Sequence, residues 1–398
     1  MRTEPRLLPA GSRTLKRSAL GVLFLTVVVD LLGFGIVLPL LPRYAKLYGV
    51  SGAQIGILLA SFSAMQFLFA PVWGRLSDRY GRRPLLMLGL AGSVASYTLF
   101  AFATSYEMLL WSRIAAGVFG ATIGTAQAYI ADVTGHADRG KQMALIGAAF
   151  GVGFTIGPAI GGLSYAWWGM KAPGLVAAGF SLVALLMAWK RLPEPERHVG
   201  VNERRLFDFK ALRHAFVTKT LPLILLLQVI ATFCFANFEG TLALLTDVRW
   251  NYDIKENGYI FMYVGFCLLL AQGFIVRRFM GRVGEERFVV LGCIVLGAGL
   301  LGIALKMPPL AILPVAVLGF SMLSPSLSSL LSRRTPADMQ GEILGLGQSG
   351  LALARILGPY VGNVAFVVSP ETPFWIAAAI MGLAFLMALR LLVPIHKA

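Results

Sequence analysis

Charge is scarce in this chain of 398 residues. Only 14% of its residues are Asp, Glu, Lys or Arg, whereas 57% are hydrophobic. A soluble domain of this size carries about 25% charged residues, so the composition excludes a soluble globular protein. Uncharged runs long enough to cross a hydrocarbon core of about 30 Å as helices recur along the whole chain. The composition therefore predicts a membrane protein with many spans.

Residues that carry catalysis or bind metals are also few. The three cysteines, Cys234, Cys267 and Cys293, lie in uncharged runs, are odd in number and lack metal-ligand spacing, so neither a disulfide nor a zinc site is expected. The four histidines fall in predicted loops or tails, and no phosphate-binding Walker loop is present. We expect no enzyme activity, no metal and no cofactor.

The apolar runs predict twelve transmembrane helices, because they are long and continuous, whereas barrel strands would be alternating segments of about 10 residues. The fold class is therefore an all-α membrane protein. The predicted spans are 18–41, 55–74, 85–106, 109–131, 142–165, 172–190, 220–246, 257–276, 288–305, 308–332, 343–368 and 372–393.

The net charge of +16 is distributed very unevenly. With the N-terminus in the cytoplasm, 27 of the 35 Lys and Arg residues fall on the cytoplasmic side, six fall on the other side, and Arg113 and Arg355 lie within spans. This asymmetry follows the positive-inside rule and predicts that both termini are cytoplasmic. It also accounts for the positive charge, so no nucleic-acid partner is expected.

One long polar connection, residues 191–219, separates six predicted spans from six others. The predicted organisation is a cytoplasmic tail (1–17), an N-terminal six-helix half (18–190), the cytoplasmic linker (191–219), a C-terminal six-helix half (220–393) and a short cytoplasmic tail (394–398).

The two halves are predicted to be repeats of one another. Residues 139–162 align with residues 340–363 at a constant offset of 201, which places Gly157 opposite Gly358 and Pro158 opposite Pro359. Paired halves of this kind are typical of transporters, whose binding site lies between the halves near the membrane midplane.

Four segments resemble motifs of one transporter family in their expected order. They are DLLGFGIVLPLLP (30–42), GRLSDRYGRRP (74–84), LLWSRIAAGVFGAT (109–122) and GVGFTIGPAIGG (151–162). They resemble motifs of the major facilitator superfamily and of its twelve-helix drug:proton antiporters, and GATIGTAQAYIAD (120–132) resembles the tetracycline-efflux-like branch. The resemblance implies two pseudo-symmetric six-helix halves that work by alternating access.

The loop around residues 74–84 is a candidate gate. Gly81 permits the tight turn that two adjacent spans require, and a solvated cytoplasmic loop would by itself account for Arg82 and Arg83. The resemblance implies that Asp78 helps to hold the two halves in the outward-facing state, with Arg79 and Asp132 as its electrostatic partners. The predicted gating residues are Gly74, Asp78, Arg79, Gly81, Arg82, Arg83 and Asp132.

Four charged residues lie inside predicted spans: Asp30, Arg113, Glu239 and Arg355. Each costs about 2.5–3.5 kcal/mol to insert, so such residues normally face a bundle interior or a wet cavity. The resemblance implies that their helices approach the central cavity. We predict proton coupling through Asp30, Arg113 and Glu239, and a cavity role for Glu239 and Arg355. The alternative is two neutral ion pairs that only join helices.

Further candidates are polar or aromatic residues and Gly-Pro pairs within spans. The cavity candidates are Gln127, Gln228, Asn237, Phe238 and Gln348, although a hydrogen bond between helices explains each amide equally well. Because proline removes a backbone donor and kinks a helix, Gly157-Pro158 and Gly358-Pro359 predict paired bends that seal the cavity.

The predicted function is export of lipophilic, drug-like compounds in exchange for protons, driven by the proton gradient and not by a cofactor. The predicted partners are the lipid bilayer of the inner cell membrane, the substrate and protons, and the protein is expected to be a monomer. Two alternatives stay open: a symporter or lipid transporter for an endogenous solute, and a receptor or scaffold without transport.

Overall fold

A computed structural model describes residues 10–120, 123–133, 136–195, 220–335 and 340–392. The predicted tail 394–398 and most of the predicted linker lie outside these residues. The described residues form fifteen α-helices, with 3-10 turns at Leu38–Leu40 and Leu389–Leu392, a π-helical turn at Ala271–Val276, and no strand. The helices are α1 Ala10–Val37, α2 Leu41–Leu47, α3 Gly52–Tyr80, α4 Arg82–Ala101, α5 Tyr106–Phe119, α6 Ile123–Val133, α7 His136–Trp168, α8 Ala172–Arg191, α9 Leu221–Trp250, α10 Ile254–Leu270, α11 Arg277–Val283, α12 Glu285–Ala304, α13 Pro309–Arg334, α14 Gln340–Phe366 and α15 Thr372–Ala388.

Each predicted span coincides with a helix or with two consecutive helical segments. Within the described residues, nine helices are long and apolar enough to cross a membrane, and α1 with α2 adds a tenth if this pair, bent by 41°, is one span. The two remaining predicted spans fall on α7 and α14. The all-helical, polytopic fold class is confirmed.

The third span is shorter than predicted and ends at Ala101 instead of residue 106. The reason is the cap of the next helix. Ser105 has extended backbone, and its hydroxyl oxygen accepts a hydrogen bond from the amide of Met108 at 3.3 Å. Serine in this position satisfies one of the free amides at a helix start, so α5 begins there.

Two glycines make equivalent turns in the two halves. Gly81 joins α3 to α4 with φ +108°, and Gly284 joins α11 to α12 with φ +91°. Only glycine adopts such angles without strain. Both turns lie at the end of the bundle where α1 begins and α15 ends. We call this end the terminal end and the opposite end the distal end.

The repeated Gly-Pro segments pack in the same way in both halves. A Cβ on Gly157 of α7 would lie 2.9 Å from Cα of Gly35 on α1, and one on Gly358 of α14 would lie 2.9 Å from Cβ of Ala236 on α9. Gly35 and Ala236 are themselves 201 residues apart. Both α7 and α14 continue through their prolines. The glycines therefore provide close helix packing, and the predicted bends stay a prediction.

The two halves meet mainly through α3 against α14 and α7 against α10. Gly56 lies against Tyr360 at the first contact, and Gly162 lies against Gly258 at the second. All four residues lie toward the distal end, so the halves close the bundle there.

Candidate functional site

Asp30 lies on α1 in the interior of the N-terminal half and is half-buried. The Ser93 hydroxyl donates a hydrogen bond to Oδ1 of Asp30 at 3.3 Å. One turn further along α4, the Tyr97 side chain is 2% exposed. Its ring packs on the backbone of Gly33, where a Cβ would lie 2.6 Å from Tyr97 Oη. The lack of a side chain at Gly33 thus makes room for Tyr97 beside Asp30.

Arg113 on α5 is 2% exposed and lies against two aromatic rings. Its guanidinium carbon is 4.8 Å from the ring centroid of Phe62 on α3 and 5.8 Å from that of Phe34 on α1. Among the described residues, its Nε has no hydrogen-bond partner. Within the described part of the chain, no carboxylate lies within 4.0 Å of Arg113. The neutral ion pair that was the structural alternative for this residue is not formed in this arrangement.

Glu239 on α9 and Arg355 on α14 are the acid and the base within the C-terminal half, at positions that the repeat does not relate to Asp30 and Arg113. The two helices are in close contact here, since a Cβ on Gly240 would lie 2.8 Å from Cβ of Pro359, one turn beyond Arg355. Glu239 is half-buried and Arg355 is exposed. The two side chains interact electrostatically without an ion pair within 4.0 Å. Arg355 is thus an exposed cation at mid-span that interacts with a neighbouring helix of its own half.

The other predicted cavity residues lie mostly in helix packing. Asn237 is fully buried and donates to the carbonyl oxygen of Pro373 at 3.4 Å, and Gln228 donates to the Ser328 hydroxyl at 3.3 Å. Phe238 is 1% exposed and belongs to the core of the C-terminal half. These contacts are the helix-to-helix alternative that the sequence left open.

The other two predicted cavity amides are Gln348 and Gln127. Gln348 is exposed on α14. Gln127 lies on α6, but its side chain falls outside the described residues.

At the terminal end, Arg82 links two carboxylates of the predicted gate. Its Nη1 lies 2.6 Å from Asp78 and its Nε lies 2.9 Å from Asp132. Arg82, and not Arg79, is thus the partner of Asp78 here, while Arg79 lies over the ring of Tyr80 at 5.3 Å. The predicted aspartates are joined, and the arginine between them is one residue beyond the glycine turn.

Glu194 completes this cluster and was missed by the sequence analysis. Its carboxylate accepts hydrogen bonds from the backbone amides of Arg82 at 2.6 Å and Arg83 at 2.9 Å. The first amides of a helix lack internal partners and carry the positive end of its dipole, so a carboxylate is stabilising there. The only signal in the sequence is an acidic residue directly after the sixth span, which does not reveal its partner.

The distal end holds a second ion cluster, which joins the two halves. Lys46 Nζ on α2 lies 2.7 Å from Asp247 Oδ2 on α9, and Arg43 Nη1 lies 4.0 Å from Asp247 Oδ1. Arg43 also donates to the carbonyl oxygen of Tyr252 at 2.5 Å. We call these four residues the distal clasp. Lys46 and Asp247 are 201 residues apart, so equivalent positions of the two repeats meet here with opposite charge.

Two helical halves in mutual contact, each with an acid and a base in its interior, define a multi-pass membrane transport protein. The Major Facilitator Superfamily model matches residues 23–359, and the chain belongs to this family. It is therefore a transporter and not an enzyme.

Proteins with known names show the same relationship. The chain is 31% identical to the tetracycline resistance protein, class C, of Escherichia coli, over 94% of this chain and 96% of that one. It is 29% identical to multidrug resistance protein 2 of Bacillus subtilis (strain 168), over 90% and 92%. The crystal structure of the human organic anion transporter MFSD10 superposes with a TM-score of 0.71 at 26% identity, over 96% of this chain and 100% of that one.

Proposed function

We propose that this transporter exports lipophilic, drug-like compounds in exchange for protons, by alternating access. The observation that carries the proposal is Asp30, a carboxylic acid within the bundle that has a hydroxyl partner, Ser93, but no cation of the described residues within ion-pair distance. A buried acid without a counter-ion favours its neutral form, whereas an approaching arginine favours its charged form. Such a group gains and loses a proton as its surroundings change.

Arg113 is the group whose approach would make Asp30 lose its proton. In the present arrangement, Arg113 lies on aromatic rings and Asp30 is free to hold a proton. Movement of Arg113 toward Asp30 would release that proton. The proton gradient then supplies the energy and no cofactor takes part. Glu239 is the second proton site, or the site that receives a cationic group of the substrate.

Two ion clusters at opposite ends suit a gate that opens alternately. The distal clasp joins the halves, whereas the contacts of Arg82 at the terminal end stay within one half. If the protein lies in the inner membrane with both termini in the cytoplasm, as the positive-inside distribution predicts, the distal end faces outward. The arrangement then corresponds to access from the cytoplasm, and a monomer contains both gates.

A second substrate class is favoured by Arg355. This guanidinium is exposed within the C-terminal half and forms no hydrogen bond or ion pair among the described residues. An anionic group of a substrate would satisfy its donors. Since MFSD10 is described as an organic anion transporter, lipophilic anions belong in any substrate panel.

The test is proton flux in proteoliposomes that contain a pH-sensitive dye. Wild type, Asp30→Asn and Asp253→Asn are compared while tetracycline-like compounds, lipophilic cations and lipophilic anions are added in turn. Asp253 caps α10 outside the bundle interior, and asparagine caps a helix equally well, so this variant controls for loss of an aspartate.

We expect compound-evoked proton movement in wild type and Asp253→Asn, and its loss in Asp30→Asn. Retention of proton movement by Asp30→Asn would refute coupling through this residue. Equal flux of a compound with and without a proton gradient would favour uniport over proton-coupled transport.

A further inference from the structure

Arg113 has an unusual environment for a buried cation. It lies against a pair of phenylalanine rings, Phe34 on α1 and Phe62 on α3, whose centroids are 4.8 Å apart. Its guanidinium carbon is within 6 Å of both centroids, at 5.8 Å and 4.8 Å. At this distance the negative face of an aromatic ring attracts a cation, and the attraction is strongest where water is excluded.

Phe34 also stands in a fixed relation to Asp30. The two residues are four positions apart on α1, so they lie on the same face of that helix, one turn apart. The ring against which the Arg113 guanidinium lies and the Asp30 carboxyl group therefore belong to adjacent turns of one helix face. An exchange of Arg113 between the rings and the carboxylate would run along this face of α1.

We propose that Phe34 and Phe62 are positioning residues for proton exchange, which hold Arg113 away from Asp30 while Asp30 carries its proton. The inference rests on the proposed proton coupling through Asp30. The rings compensate the buried cation during the step in which its carboxylate partner is neutral. When Asp30 is ionised, the carboxylate attracts Arg113 more strongly than the rings do.

Among the described residues, few other titratable groups face Asp30. On α4 the neighbours are the Ser93 hydroxyl, which does not titrate, and Tyr97, which interacts electrostatically with both Asp30 and Arg113. The two other long helices packed against α1 carry no titratable side chain at residues 142–164 or 172–189. On α6 the titratable side chains are Tyr129 and Asp132, which are bonded to Pro193 and Arg82 at the terminal end.

The sign of the effect follows from this exchange. Removing a ring destabilises the state in which Arg113 is away from Asp30, and that state is the proton-loaded one. Proton binding by Asp30 then requires a lower pH. For one desolvated cation–π contact, the expected displacement is about 0.5–1.5 pH units.

The experiment uses the full chain in detergent and the proton as the only ligand. Infrared difference spectroscopy follows the C=O stretch of the protonated carboxyl group over pH, and the band that is absent from Asp30→Asn is assigned to Asp30. Phe62→Leu removes a ring and keeps an apolar side chain, whereas Phe62→Tyr keeps the ring. Phe320→Leu is the matched control, because Phe320 stacks on Phe235 at 3.9 Å in the other half.

We expect the midpoint of the Asp30 band to move about one pH unit lower in Phe62→Leu, and to stay at the wild-type value in Phe62→Tyr and Phe320→Leu. Phe34→Leu should move it in the same direction and gives an independent reading. An unchanged midpoint in folded Phe62→Leu and Phe34→Leu would overturn the inference and leave the rings a packing role. If no band is lost in Asp30→Asn, the inference and the proposed function both fail; if that band is lost but the ring variants do not move it, only the inference fails.

Discussion

Reversing the charge of Asp247 should open the distal end of the transporter. In wild type, the Asp247 carboxylate forms ion pairs with Lys46 at 2.7 Å and with Arg43 at 4.0 Å, and both cations belong to the other half. A lysine at position 247 would place three cations together and remove the attraction between the halves. The hydrogen bond from Arg43 to the Tyr252 carbonyl remains possible, so the variant tests the charges and not the whole contact.

The size of the effect follows from the exposure of the pair. The Lys46 and Asp247 side chains are 38% and 24% exposed, so solvent screens their attraction. Loss of a partly exposed ion pair costs about 0.2–1 kcal/mol. Reversal adds a repulsion of similar size, which gives about 0.4–2 kcal/mol in total. A difference of this size changes the ratio of closed to open molecules by about 2- to 30-fold.

Distances between spin labels at the distal end measure this ratio. Labels at Glu107→Cys in the N-terminal half and Met307→Cys in the C-terminal half, in a background without the native cysteines, report opening as a longer distance population. We expect that population to grow in Asp247→Lys and to shrink again in the double variant Lys46→Asp, Asp247→Lys. Identical distance distributions in wild type and Asp247→Lys would refute the reasoning, as would failure of the double variant to restore closure.

Two further predictions concern stability. Gly157→Ala should lower the free energy of unfolding by about 1–3 kcal/mol, because the added methyl group would press on the α1 backbone. Gly179→Ala is the control and should not destabilise the protein, because there is open space around Gly179. Equal melting temperatures of the two variants in detergent would contradict this prediction. Burial raises the pKa of Glu371, but hydrogen bonds from Arg249 and Ser369 outweigh it and hold the pKa below its usual value. The stabilising contribution of ionised Glu371 is therefore present above pH 4.5 and lost as pH falls. Glu371→Gln should thus lower the free energy of unfolding at pH 7 by about 1–3 kcal/mol, which is seen as a lower melting temperature, and this difference from wild type should narrow under acid conditions. A difference that stays constant with pH would exclude this linkage.

The candidate site was partly predictable from single residues. An acid or base within an apolar run is visible without any structure, which is why Asp30, Arg113, Glu239 and Arg355 could all be predicted as candidates. Their partners were not visible, because the insertion cost of a charge says only that it must be compensated. Arg113 is compensated by aromatic rings from α1 and α3, and phenylalanine is too common in membrane spans to be singled out.

The ion clusters show the same division. The turn at Gly81 and the aspartates near it were expected, but the hub is Arg82 and the cap is Glu194, more than 100 residues away. The distal clasp combines Lys46 and Asp247, each of which looks like an ordinary loop charge. Contacts between distant segments depend on which helices pack together, and the spacing of residues along the sequence does not show this.

The sequence by itself determined that the protein lies in a lipid bilayer, that it is helical, that its two halves are repeats and which family it resembles. Each of these depends on local composition, on the length of apolar runs or on a constant spacing, and a membrane enforces them strongly because every backbone amide must be bonded within its own helix. Only the tertiary structure decided which end of the bundle is closed and which groups the central charges face. These depend on a balance of a few kcal/mol between alternative arrangements of the same helices, and the same residues serve both.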